Sequence, residues 1–154
     1  MPTYDRAAAV AYAHRYALAP NGAYYSFEKL GGDCTSFVSQ CLYAGFPEMN
    51  YSRAGWYYNS VSSRSPSWSG VEFLRDFLVS GGARPGPAAR ESEPQDVAAG
   101  DIVQLSFDGG AFSHSLFVVE VTRTDILVAT HSYNADYRPL GSYEYRRARA
   151  LRVL

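Results

Sequence analysis

Residues 30–45, LGGDCTSFVSQCLYAG, constrain the fold more than any other part of the chain. Apolar residues follow Asp33 and Cys34 at helical spacing, and Gly45 closes the run. Aspartate is favoured at the N-cap of a helix, and glycine is favoured at its C-terminal end. The pattern therefore predicts a loop that enters a buried helix, with Cys34 in the first turn.

A cysteine at this position has surroundings that suit a nucleophile. The unpaired N–H groups of a first helical turn carry partial positive charge, which stabilises a thiolate and lowers the thiol pKa. The same groups can bind an oxyanion during acyl transfer, and the glycines before Asp33 allow a substrate to approach closely. The alternative is a buried cysteine that packs as a small apolar residue. The segment alone leaves both interpretations open.

The second cysteine, Cys41, lies seven residues further along the same predicted helix. At about 1.5 Å per residue the two Cα atoms would be about 10 Å apart. A disulfide requires less than about 7 Å. We therefore expect Cys34 to be a free thiol and Cys41 to be part of the apolar stripe that faces the core.

The composition is that of a globular protein, and it excludes few functions. The chain has 154 residues, of which 47% are hydrophobic and 19% charged, enough for one domain, residues 1–154, with a sizeable core. A net charge of −1 argues against a general nucleic-acid or anionic-membrane binder. No stretch approaches the roughly 18 apolar residues that a membrane span requires. We expect a monomer, and the sequence leaves the compartment undetermined.

Periodicity predicts helices in the first half of the chain and strands in the second. Besides the helix at 34–45, helices are expected at 4–18 and 68–80, and 84–99 is expected to be a linker. Strands are expected at 100–105, 113–122, 126–132 and 143–154, the last at a sheet edge. The predicted fold class is α+β, with N-terminal helices packed on an antiparallel sheet. The aromatic loop 46–69 could wall a cleft or cover the core.

Two of the three histidines, His114 and His131, lie at the same end of one predicted hairpin. Antiparallel pairing brings the start of one strand beside the end of its partner. A cysteine nucleophile needs an imidazole as base and acid, and a third group that orients the imidazole. Cys34, His114 and His131 could fill these roles, and Asn134 and Asp136 are alternatives for the third. The spacings of metal-ligand pairs are absent, so neither a metal nor a cofactor is expected.

The chain resembles the bacterial putative amidase domain family, which is similar to NlpC-type and, more distantly, papain-like cysteine hydrolases. The resemblance rests on segments that occur in order along almost the whole chain: NGAYYSF, GGDCTSFVSQCLYAG, WYY, GDIVQLSF, SHSLFVVEV and ATHS. The GGDCT-x-FVSQ core is the specific part. Relatives often have Asn where this chain has Ser36, a change expected to affect local packing rather than chemistry.

The resemblance implies a papain-like fold and a cysteine amidase or peptidase. Its nucleophile would be Cys34, its base His114 and its third member His131. Its substrate would be a peptide or a peptidoglycan stem amide, cleaved through a thioester. Positions that flank the reactive centre in such domains, or that could line a cleft, are expected to contact substrate: Tyr24, Asp33, Trp56 and Ser113. The alternative is a module on the same scaffold that binds cell-wall material or peptide without cleaving it.

Overall fold

The computed structural model describes residues 3–81 and 83–154 of the chain. Residues 1, 2 and 82 of the predicted domain lie outside this description. The α-helices of the described residues fall in the first half, as predicted: α1 (Arg6–Tyr16), α2 (Cys34–Gly45), α3 (Pro66–Ser69) and α4 (Val71–Val79). The helix predicted at 68–80 is thus two helices, separated by Gly70, whose extended backbone (φ −110°, ψ 131°) ends the first.

The second half of the chain forms an antiparallel sheet. A small hairpin, β1 (Tyr58–Ser60) and β2 (Ser63–Arg64), comes before it. The sheet has six strands in the order β3-β8-β4-β5-β6-β7. Their bounds are β3 (Ala89–Ser92), β4 (Ile102–Ser106), β5 (His114–Val121), β6 (Ile126–Thr130), β7 (Ala135–Pro139) and β8 (Arg147–Val153).

The sheet is buried on both faces, because side chains alternate in direction along each strand. On β5, Phe117 and Val119 belong to the core that includes helices α1, α2 and α4. Leu116 and Val118 belong to a smaller cluster on the opposite face, with Val97 and Leu140. The mixed α+β class with an antiparallel sheet is therefore confirmed.

Two expectations about the sheet were wrong. The last strand, β8, was predicted to lie at an edge, but it pairs with β3 on one side and β4 on the other. The partner strand β3 lies inside the segment 84–99 that was predicted to be a linker. Pro85, Pro87 and Pro94 flank β3 without entering it, so they end the strand rather than prevent it.

The aromatic loop 46–69 covers the core and does not wall a cleft with its tryptophans. Trp56 and Trp68 are fully buried, with ring centroids 4.9 Å apart. The indole Nε1 of Trp56 donates a hydrogen bond to the hydroxyl of Ser39 in α2 at 3.1 Å. This contact ties the loop to the helix that begins with Cys34.

Candidate active site

Cys34 is the first residue of α2, as predicted, and Asp33 is the N-cap. The side chain of Asp33 does not cap the helix. Its Oδ1 instead accepts a hydrogen bond from the N–H of Phe27 at 2.9 Å, and its Oδ2 bonds to His131. Both cysteines are free thiols, and Cys41 is fully buried in the core, as expected.

The thiol of Cys34 is held against the start of strand β5. Its Sγ accepts a hydrogen bond from the backbone N–H of Ser115 at 3.5 Å and lies 3.8 Å from the hydroxyl of Thr35. That hydroxyl in turn bonds to the Ser115 hydroxyl at 2.9 Å. The thiol therefore sits beside the residue that follows His114.

The expectation of a lowered thiol pKa was wrong for the resting protein. Cys34 is only 6% exposed, and burial raises its pKa above the ordinary value. The hydrogen bonds from Ser115 and Thr35 oppose this rise, and the negative charge of Asp33 adds to it. The effect of burial is the larger one, because a thiolate loses more solvation than these weak donors replace.

His114 opens strand β5 and is 8% exposed. Its Nε2 lies 3.4 Å from the hydroxyl oxygen of Thr130, on the neighbouring strand β6. The single proton of that hydroxyl has its closest acceptor in the carbonyl of His131, at 2.8 Å. Thr130 can then accept a bond from Nε2–H of His114, which leaves Nδ1 as the basic nitrogen of the ring.

Burial lowers the pKa of His114 from 6.5 to about 4. The positive charge of Arg138 acts in the same direction, and the negative charge of Glu28 opposes it. At neutral pH the ring is therefore neutral. Because the Cys34 thiol pKa is raised, both groups rest uncharged rather than as a thiolate–imidazolium pair.

Cys34 and His114 face one pocket, here called the thiol pocket, of about 500 Å³. Its lining consists of Glu28, Gly31, Gly32, Cys34, Ser113, His114, Ser132 and Tyr133. Among the residues that the structure describes, no hydrogen bond joins the thiol to the imidazole. Hydrogen bonds of this kind are often long or absent before substrate binds.

His131 lies next to this pair, but its ring nitrogens have other partners. Its Nδ1 is 2.6 Å from Oδ2 of Asp33, and its Nε2 is 2.8 Å from the carbonyl oxygen of Tyr16. The ring stacks on Phe37 with centroids 4.1 Å apart. These bonds leave no nitrogen of His131 to orient His114, which contacts Thr130 instead.

The two alternatives for the orienting group are also placed away from that role. Asp136 binds Nδ1 of His14 at 2.8 Å and so joins β7 to α1. His14 is thus a contact between these two elements. Asn134 is exposed, near the tip of the β6–β7 hairpin.

The residues predicted to contact substrate divide into two groups. Ser113 is exposed and lines the thiol pocket. Trp56 is wholly buried, and Asp33 is only 3% exposed with its carboxylate used inside the protein. Tyr24 is half-buried and stacks on Trp68, with centroids 5.9 Å apart. Of these four residues, only Ser113 lines the thiol pocket.

Several residues around the thiol pocket were not singled out from the sequence. The carboxylate of Glu28 accepts bonds from the Asp33 N–H at 2.8 Å and from the Ser132 hydroxyl at 2.6 Å. Ser132 and Tyr133 both have positive φ, 61° and 69°, in the turn that follows His131. Nothing in a single sequence distinguishes these common residue types, because only pairing in space assigns them to the pocket.

Within residues 3–81 and 83–154, no group of three or more His, Cys, Asp or Glu side chains is arranged to hold a metal ion. None of the helices in the same residues combines the length and the apolar character that crossing a membrane requires.

Comparison with known proteins gives a family match over nearly the whole chain. The family described as putative amidase domain matches residues 3–154. The uncharacterized protein YhbB of Bacillus subtilis strain 168 is 33% identical over 147 residues, which are 92% of this chain and 45% of YhbB. The uncharacterized protein YjcM of the same strain is 26% identical over 139 residues, 85% of this chain and 31% of YjcM. The chain thus spans less than half of either relative, and no solved structure matches it.

Proposed function

Because the chain belongs to the putative amidase domain family, we propose that it is a cysteine-dependent amide hydrolase, with Cys34 as nucleophile and His114 as base and acid. One observation carries the proposal. The thiol at the start of α2 and the ring of His114 line the same pocket, and the thiol is hydrogen-bonded to the residue after His114.

The reaction begins from two neutral groups. As Sγ of Cys34 attacks the amide carbonyl carbon, its proton passes to Nδ1 of His114. The N–H groups of the first turn of α2 stabilise the oxyanion. The resulting imidazolium of His114 protonates the amine, the C–N bond breaks, and a thioester to Cys34 remains. Water attacks the thioester with His114 again as base, which releases the acid and restores the thiol.

The hydrogen bonding around His114 supports Thr130 as the residue that orients the ring, in place of His131. Thr130 contacts Nε2 on the side of the ring away from the proposed base nitrogen. His131 is then a positioning residue, because it holds Asp33 and hence the start of α2. The resemblance of the sequence to NlpC-type and papain-like hydrolases supports a papain-like arrangement in one domain, and peptide or peptidoglycan stem amides as substrates.

The test is release of amines from purified peptidoglycan sacculi and their soluble stem peptides. Wild-type protein and the Cys41→Ala variant are expected to release new primary amines, whereas Cys34→Ala and His114→Ala are not. Cys41 is the matched control because it is the other thiol of α2 and lies in the core. Release by Cys34→Ala at the wild-type rate would refute the proposal.

A binding module is the second candidate, and one observation favours it: the thiol of Cys34 is buried, and among the described residues no hydrogen bond joins it to His114. A binding module would cosediment with sacculi equally well before and after alkylation of Cys34, and it would release no amines. A hydrolase would release amines before Cys34 is alkylated and would release none afterwards.

A further inference from the structure

A second pocket adjoins the thiol pocket along a wall that includes His114. It has a volume of about 460 Å³ and shares four lining residues with the thiol pocket: Ser113, His114, Ser132 and Tyr133. Its remaining lining residues are Phe107, Arg138, Ser142, Tyr143 and Glu144. We call it the arginine pocket. Since the two pockets share a wall, one ligand could occupy both.

Arg138 is fixed in the arginine pocket without an acidic partner. Its Nε donates to the Ser142 hydroxyl at 2.8 Å, and its guanidinium carbon lies 3.7 Å from the centre of the Tyr143 ring. No carboxylate of the described residues is within ion-pair distance, although Glu144 lines the same pocket. A guanidinium has five N–H donors, so donors remain for a ligand.

One further observation points to a missing anion. Arg138 is near enough to His114 for its positive charge to contribute to the lowered pKa of that ring. A half-buried cation next to the proposed base would be compensated by a bound anion.

We propose that the arginine pocket binds a carboxylate of the substrate, and that Arg138 is the residue that recognises it. The inference rests on the proposed function, and it narrows the substrate to amides whose chain carries a free carboxylate beside the scissile bond. A fork of fixed N–H donors matches a carboxylate in geometry as well as in charge. The aromatic lining from Phe107 and Tyr143 would contact the aliphatic part of the same group.

The experiment measures binding rather than turnover. N-acetylglutamate and its neutral analogue N-acetylglutamine are titrated into the protein, and the C2 proton of His114 is followed by NMR at neutral pH. His114 is a suitable reporter because it lines both pockets. The acid is expected to bind on the order of tenfold more tightly than the amide, the typical effect of one charge-assisted contact.

Variants of Arg138 and of a control arginine distinguish recognition of the carboxylate by Arg138 from a general effect of the protein's net charge. Arg138→Gln is expected to reduce the affinity for N-acetylglutamate to that for N-acetylglutamine. Arg123→Gln is the matched control: it also removes one positive charge, at an exposed position in the turn between β5 and β6. Arg138→Lys keeps the charge without the fork and should bind with intermediate affinity, so it decides the matter if Arg138→Gln does not fold.

Equal binding of acid and amide by the wild type, no binding of either, or an unchanged preference in Arg138→Gln would overturn the proposal. The same titration is repeated with Cys34→Ala, which lacks the proposed nucleophile, so that the measured affinities do not depend on catalysis. If sacculi are never cleaved but the preference depends on Arg138, the hydrolase proposal fails and the carboxylate site stands. If amines are released but the protein binds acid and amide equally, the hydrolase proposal stands and the carboxylate site is refuted.

Discussion

The ring of His131 is bonded to the residue that immediately precedes Cys34, with Nδ1 of His131 2.6 Å from Oδ2 of Asp33. Both side chains are almost fully buried. The second ring nitrogen faces the carbonyl oxygen of Tyr16. Asp33 and Tyr16 therefore hold the ring of His131 from both of its nitrogens. His131 thus joins the end of β6 to the end of α1 and the start of α2.

Replacing His131 with Gln should lower the free energy of unfolding by about 2 kcal/mol, because it breaks the two buried hydrogen bonds that the ring makes with Asp33 and Tyr16. Urea unfolding at neutral pH measures the change. His14→Gln is the control, since it breaks the more exposed pair with Asp136 and should cost about 1 kcal/mol or less. A loss in His131→Gln no larger than that of the control would show that the buried pair adds little stability.

The rate of Cys34 alkylation by iodoacetamide should rise continuously with pH, because burial raises the thiol pKa and His114 is neutral above about pH 4. Quantitative mass spectrometry of the cysteine peptides between pH 5 and pH 10 provides the measurement. Cys41 should stay unlabelled in the folded protein because it is fully buried, and Cys34→Ala should remove the labelling. A rate that is independent of pH from 5 to 7 would reveal a thiolate–imidazolium pair and contradict this prediction.

His114 should make the protein less stable in mild acid. Its pKa is about 4 when folded, against 6.5 without the surrounding protein. Between these values the unfolded chain binds a proton that the folded protein does not, so stability falls as the pH drops from 6.5 and levels off below 4. From pH 7 to pH 4.5 the loss from this residue is about 2 kcal/mol.

His114→Asn should remove that part of the pH dependence. Urea unfolding of the wild type and the variant at pH 7 and pH 4.5 gives the difference, in which the contributions of the other titrating groups cancel. If both proteins lose the same stability on acidification, His114 is not held neutral by burial.

The helix that begins at Cys34 could be predicted because its signals are local. Asp33 and Gly45 mark its ends, and the apolar spacing between them specifies the buried faces. The start of β5 at His114 is also local, since a long apolar run follows it. These local signals, combined with antiparallel strand pairing, are enough to predict the α+β class and to bring Cys34 and His114 together.

The rest of the site depends on contacts between distant parts of the chain, which one sequence does not encode visibly. His131 was given the role of orienting His114 because the hairpin brings them together, but a competing carboxylate, Asp33, lies in a different element. The thiol pKa was expected to fall because the helix start was considered without its burial. Trp56 was expected to contact substrate because it lies in a loop rich in aromatic residues. Such a loop can equally cover a core, and Trp56 is fully buried there.

The glycine before Asp33 limits how the loop can approach the thiol pocket, and its replacement should disturb that pocket. Gly32 has φ +107°, and a Cβ there would lie 3.2 Å from the hydroxyl oxygen of Ser132. Gly32→Ala should therefore lower the free energy of unfolding by about 1–2 kcal/mol through backbone strain. It should also change the rate of Cys34 alkylation, because the Ser132 hydroxyl that the new Cβ would displace accepts a hydrogen bond from the Asp33 N–H. Gly22→Ala is the control, since nothing lies within 4 Å of its Cβ position. Urea unfolding and the alkylation rate of both variants test the prediction, and equal behaviour of the two would show that the loop tolerates a side chain at position 32.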